Sequence, residues 1–161
     1  MMAERSVVEV MHGVNFDVLE LRDSAHYGEL SLTELEHRIV SFADKLGLAA
    51  RFFQTNSEGE FVERLHEAAR RSRSAGPYGE GPAALILNPG AWTHYSWAIH
   101  DALEIVTVPA VEVHLSALAE REGFRQTSVI GELCVATFAG HGVDGYRMAL
   151  ERLRQAVEAG G

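Results

Sequence analysis

Five times along this 161-residue chain a short apolar run gives way to a polar loop or a stretch of helical spacing. The runs are Val7–Met11, Ala49–Gln54, Ala83–Leu87, Val106–Val113 and Leu133–Phe138. The most constraining is Ala83–Leu87, AALIL, which is apolar at every position. A strand with one wet face alternates apolar and polar side chains. An unbroken run is expected of a strand buried on both faces, the condition of a central strand in a parallel sheet. The intervening segments carry apolar residues three or four apart. Leu32, Leu35, Ile39 and Leu46 mark a helix over Leu30–Leu46, with Ser31 or Thr33 to cap it and Gly47 to stop it. Further helices are expected over Glu60–Arg71, capped by Ser57, over Thr93–Ile105, and over Val143–Glu158. His114–Gly123 reads as a turn with a short helix, and Ser72–Pro82 as a loop.

Strand and helix patterns that alternate in this way predict an α/β chain: a five-stranded parallel sheet with helices on both faces, the flavodoxin-like three-layer sandwich. The length suits a single domain over residues 1–161. A formal net charge of -9 disfavours nucleic acid as a partner, because phosphate neutralisation needs clustered Lys and Arg. No apolar run is long enough for a bilayer and none has signal-peptide form, so a membrane is not expected and a cytoplasmic setting is the default. Cys134 is the one cysteine, which rules out an internal disulfide, and its apolar surroundings read as core.

In such a sheet, ligands collect beyond the carboxyl ends of the strands. The loop after the first strand, Gly13–Gly28, is GVNFDVLELRDSAHYG and holds Asn15, Arg22 and Tyr27. A phenol titrates near ~10, so a tyrosine acting as base near neutrality needs roughly 4 kcal/mol of differential stabilisation of its anion, which a guanidinium provides. The loop after the third strand holds Asn88, Gly90, Ala91 and His94; the loop after the fourth holds Glu112, His114 and Ser116, with Arg125 further on. Each has a structural reading as well. Asn88-Pro89-Gly90 makes a turn, His94 makes a cap contact, and Glu112 with His114, two apart on a strand, makes a side-by-side pair. Together at one edge of one sheet they form an acid–base constellation with anion-binding groups around it. The spacing of His94, Asp101, Glu112 and His114 matches no metal motif, and no glycine-rich phosphate loop is present. Flavin-binding and receiver readings both lose ground, because the first loop is neither hydroxyl- and glycine-rich nor acidic and the third strand ends in Asn88.

The segments GVNFDVLELRDSAHYG, QTNSEGE, LNPGAWTHYSWAIHDAL, VEVHLS, FRQTS and GHGVDGYRMAL, taken in order, resemble the type II 3-dehydroquinate dehydratases. The resemblance implies the flavodoxin-like fold and a hydro-lyase that dehydrates 3-dehydroquinate to 3-dehydroshikimate. It implies no metal and no cofactor, and trimers assembled into dodecamers. It implies roles as well. Tyr27 is the base and Arg22 its lid partner. Asn15 holds a water at the enolate oxygen. His114 is the acid, with Glu112 fixing its ring. Asn88, His94 and Arg125 bind the substrate ring, Leu115 and Ser116 its carboxylate, and Gly90 and Ala91 shape the wall. Asp101 reaches a neighbouring subunit's site. Val14, Asp17, Glu20 and Ser24 depart from the family pattern, and Glu20 places a carboxylate where it competes with Tyr27 for Arg22. Those departures leave open a paralogue for a related cyclic hydroxy-keto acid, or a non-catalytic binder of such a ligand.

Overall fold

The computed structural model describes residues 4–74 and 81–160. Five strands, β1 (Val7–His12), β2 (Ala49–Gln54), β3 (Ala84–Asn88), β4 (Ala110–His114) and β5 (Ala136–Ala139), form one sheet in the order β2-β1-β3-β4-β5. Every pairing is parallel. The helices are α1 (Ser24–Tyr27, a single turn), α2 (Leu32–Lys45), α3 (Glu58–Arg73), α4 (Trp97–Glu104) and α5 (Asp144–Gly160). Among the described residues no helix is long and apolar enough to cross a membrane.

Strand parity builds the layers. Val8, Val10, Ile86, Val111 and Val113 point to one face, where Leu35 and Ile39 of α2 and Leu150 and Leu153 of α5 cover them. Met11, Leu85, Leu87 and Ala110 point to the other, under Phe61 and Leu65 of α3 and Ile99 and Leu103 of α4. Each large apolar side chain withdrawn from water in these layers contributes about 1.5–3 kcal/mol. As the unbroken run requires, β3 is buried at every position. Glu9 is a buried polar group on the second face. Its carboxylate is held by Arg64, whose Nε lies at 2.7 Å, so the buried charge is paired.

The chain punctuates its helices as expected in two places. Ser31 makes a reciprocal capping box with Glu34, and Ser57 accepts from the Glu60 amide. Elsewhere the boundaries move for local reasons. The helix expected over Thr93–Ile105 is broken: a 3-10 turn covers Gly90–His94, Tyr95 leaves helical geometry, and Ser96 caps a new helix by accepting from Ile99 N at 3.1 Å. Within the run Val106–Val113, Pro109 has no N–H for a ladder and marks the strand entry, as expected, so β4 starts at Ala110. A 3-10 turn at Gly131–Leu133 delays β5 to Ala136. The first loop is not irregular; it carries a 3-10 segment, Phe16–Leu21, anchored by buried Phe16 and Leu19, followed by α1. Of the expected loop at Ser72–Pro82, Ser72 and Arg73 extend α3, and 75–80 lie outside the described residues.

The sheet order reverses between β1 and β3, which leaves a crevice at their carboxyl ends. Two glycines fasten the loops that flank it. A Cβ on Gly13 would sit 2.1 Å from the Pro89 carbonyl oxygen, and Gly90 adopts φ +66° against Val14. Only glycine fits both constraints.

His12, at the end of β1, is fully buried, and burial lowers its pKa from the ordinary 6.5 to about 3. Between those values the unfolded chain binds a proton that the folded chain refuses. Stability therefore rises with pH across that window and falls on acidification. His12→Asn should flatten the stability-versus-pH curve between pH ~6 and ~4 by up to about 1.4 kcal/mol per pH unit. Urea melts of both proteins across that range measure the difference, and parallel curves would show that His12 does not titrate this way.

Candidate active site

At the ends of β1, β3 and β4 a cleft of about 360 Å³, counting its open mouth, is lined by Arg22, Tyr27, Asn88, His94, His114, Ser116, Arg121 and Arg125, with Phe16, Gly90, Ala91, Leu115 and Leu118 completing the wall. Its lining, rich in hydrogen-bonding and cationic side chains, suits a small polar ligand. Three guanidinium groups face it in a chain of net charge -9, so the cleft favours an anion.

The α1 turn sets Tyr27. Asp23 caps the turn by accepting from Ala25 N at 2.9 Å, which brings Tyr27 back toward Arg22. Arg22 Nη2 donates to Tyr27 Oη at 2.8 Å, and its Cζ lies 3.8 Å from the ring centroid. Arg121 Nη1 donates to the same oxygen at 3.2 Å and to Ser116 Oγ at 3.2 Å. Two cationic donors thus converge on one phenol oxygen. Burial holds the Arg22 pKa below the usual arginine range, and Arg125 and Arg121 push the same way, opposed by the Tyr27 oxygen. Glu20 is exposed, and among the described residues it forms no ion pair with Arg22, so the anticipated competition for the guanidinium is not seen.

The β4 ladder sets His114. Residues 112 and 114 share a strand face, so Glu112 Oε1 meets His114 Nε2 at 2.5 Å. Glu112 is fully buried, and its oxygens also accept from Thr93 Oγ1 at 2.5 Å and Ser128 Oγ at 2.8 Å. Burial pushes this carboxyl up, but the His114 contact and these hydroxyls outweigh it and hold the pKa below the ordinary carboxylate value. An ionised carboxylate only accepts, so His114 Nε2 carries a hydrogen and Nδ1 is the nitrogen left for the cleft. His94 Nδ1 donates to the Thr127 carbonyl at 2.8 Å, and burial lowers its pKa, so its neutral ring offers Nε2.

Of the residues singled out from the sequence, Arg22, Tyr27, Asn88, Gly90, Ala91, His94, His114, Leu115, Ser116 and Arg125 share this wall. Glu112 stands behind His114. Asn15 is not among the residues on this wall. It is exposed, in left-handed geometry (φ 70°) at the start of the 3-10 segment, with its N–H on Asn56 Oδ1 at 2.8 Å. Asn56 Nδ2 also donates to Asp17 at 2.9 Å, which ties the first loop to the end of β2, and Phe16 takes the place on the wall. Asp101 is exposed on α4, where it meets His100 Nδ1 at 3.2 Å, and it too lies outside the cleft. Three exposed or half-buried groups, His100, Asp101 and Glu104, are grouped there on the helix surface.

The sequence reading missed Arg121 and the pair His12–Tyr146. Arg121 reaches the cleft from extended backbone just after the 3-10 turn Leu118–Glu120, and no spacing in the sequence marks it. His12 shares strand parity with Val8 and Val10, which placed a polar ring on the buried face at the cleft end of β1.

Comparison with known proteins follows the same lines. The family model described as Dehydroquinase class II matches residues 6–154. The 3-dehydroquinate dehydratase of Pelobacter propionicus is 43% identical over 151 residues, 94% of this chain and 95% of that protein. That of Syntrophotalea carbinolica is 44% identical over 143 residues, 89% of this chain and 90% of the relative. The crystal structure of the type II dehydroquinase from Propionibacterium acnes superposes with a TM-score of 0.84 at 34% identity, covering 96% of this chain and 99% of that one. The chain belongs to the class II dehydroquinase family.

Proposed function

We propose that this protein is a hydro-lyase that reversibly converts 3-dehydroquinate to 3-dehydroshikimate and water. The observation that carries this reading is the pairing, in one anion-attracting cleft, of a doubly guanidinium-bonded phenol with a carboxylate-backed imidazole. Loss of water β to a ketone needs a base at carbon, stabilisation of an enolate and an acid at the leaving oxygen. Tyr27, as phenolate, takes the proton from C2 beside the ketone, and the C–H electron pair moves into an enolate. The enolate collapses to the conjugated ketone as the C1–O bond breaks, and His114, protonated on Nδ1, gives its proton to the departing hydroxyl. Glu112 orients that ring and balances its charge. His94 and Arg125 bind ring hydroxyls, Asn88 contacts the leaving-group side, and Leu115 and Ser116 hold the carboxylate. Gly90 and Ala91 keep the wall open. No metal or cofactor enters this scheme. Base and acid act from opposite faces of the ring, which makes the elimination anti.

The proposal extends to assembly as trimers within a dodecamer, with Asp101 serving a neighbouring subunit. Exposed Tyr95 and Trp97 beside the start of α4, which carries Asp101, support a contact on that face. The direct test of the activity is an ultraviolet assay. 3-Dehydroquinate should give the absorbance of a conjugated enone, and a thermal shift with ligand but no absorbance gain would mean a binding protein instead. Arg121→Ala removes one of the two donors on Tyr27, and its kcat/KM should fall by roughly 10²-fold. Unchanged turnover would remove Arg121 from the machinery.

A further inference from the structure

Behind the cleft a hydrogen-bond chain runs into the core. The Gly90 amide faces Asn88 Oδ1 at 3.4 Å, Asn88 Nδ2 lies 3.1 Å from Tyr146 Oη, and Tyr146 Oη lies 2.9 Å from His12 Nε2. His12 and Tyr146 are fully buried, and the His12 ring stacks on Phe16 with centroids 4.7 Å apart. Among the described residues His12 Nδ1 has no partner.

The direction of this chain follows from counting hydrogens. A backbone N–H cannot be reversed, so the Asn88 carbonyl belongs on the Gly90 side and its NH₂ on the Tyr146 side. Tyr146 Oη then accepts from Asn88 and has one hydrogen to give. If it gives that hydrogen to His12 Nε2, a single group stays unsatisfied, the Nδ1–H. If His12 instead carried its hydrogen on Nε2, both the Tyr146 hydroxyl hydrogen and the Nδ1 lone pair would be stranded. Each buried unsatisfied group costs about 1–3 kcal/mol, so the first arrangement wins. One N–H of Asn88 is spent on Tyr146, and the other remains for the cleft that Asn88 lines.

We propose that His12 and Tyr146 are positioning residues that lock the Asn88 amide as a hydrogen-bond donor toward the ligand. The proposal rests on the dehydratase reading and assigns a polarity within it. Asn88 serves an oxygen that accepts, such as the leaving hydroxyl, and rejects a ligand that offers only a donor at that point.

Nitrogen NMR of the wild-type protein and a small variant set test it. His12 should show a protonated Nδ1 and a bare Nε2; a hydrogen on Nε2 overturns the proposal. Tyr146→Phe should lower kcat/KM about ten-fold, mostly in kcat. His12→Gln, whose carbonyl can accept from Tyr146, should stay within about three-fold of wild type, while His12→Leu should fall with Tyr146→Phe. If Tyr146→Phe does not fold, the His12→Gln and His12→Leu pair decides the point. Equal activity in all variants overturns the proposal. If the wild-type protein shows no turnover, the dehydratase reading fails, and the His12 tautomer still decides the direction of the chain.

Discussion

Tyr27→Phe should lower kcat by about 10³–10⁴-fold with little change in KM, because it deletes one oxygen and little else. The ring stays, so the Arg22 guanidinium keeps its aromatic surface at 3.8 Å. Arg121 keeps Ser116, and the half-buried Arg22 can turn to water. The turn Ser24–Tyr27 is capped by the Asp23 side chain, which accepts from the Ala25 amide, and the substitution does not touch that contact. Fold and melting temperature should therefore be close to wild type. What vanishes is the oxygen on which the Arg22 and Arg121 donors converge, the proposed base. Steady-state kinetics on the purified variant read this directly, and near-normal turnover would show that the proton goes elsewhere.

His114→Ala should cost about 10²–10⁴-fold in kcat, and it carries a second signature. The substitution strips Glu112 of the contact at 2.5 Å that does most to keep this buried carboxylate charged, while Thr93 and Ser128 remain. A carboxyl with a depressed folded pKa contributes stability above the ordinary carboxylate range and loses it as pH falls through the folded value. Without His114 the folded value rises, so the acid-side loss of stability should begin at higher pH than in wild type. The variant should fold at neutral pH with a penalty of about 1–3 kcal/mol for the partly unpaired acid. Loss of activity without this shift in the acid limb would separate His114 from Glu112.

Much of this was legible in the chain because two periodicities coincide with two chemical requirements. AALIL announces a strand with no wet face, and VEVHLS places Glu112 and His114 on one side of a strand by parity alone. Tyr27 and Arg22 were legible as neighbours on a loop, and the five-residue separation proved bridgeable because α1 folds the chain back. Side-chain identity and spacing do not show backbone φ. Asn15 adopts left-handed geometry with its N–H held by Asn56, a residue far along the chain. Spacing likewise gave no sign that Tyr146, one of the apolar stripe of α5, carries its hydroxyl to Asn88 at the end of β3. Ser96 hid a helix start inside an apparently continuous pattern because Tyr95 and Trp97 on either side are compatible with a helix.

The central claim is that Tyr27 removes a proton from one face of the ring while His114 protonates the hydroxyl leaving from the other. 3-Dehydroquinate carrying deuterium at C2, anti to the C1 hydroxyl, should give 3-dehydroshikimate that has lost the label. Product that retains that deuterium and loses the hydrogen on the hydroxyl's own side would contradict the account.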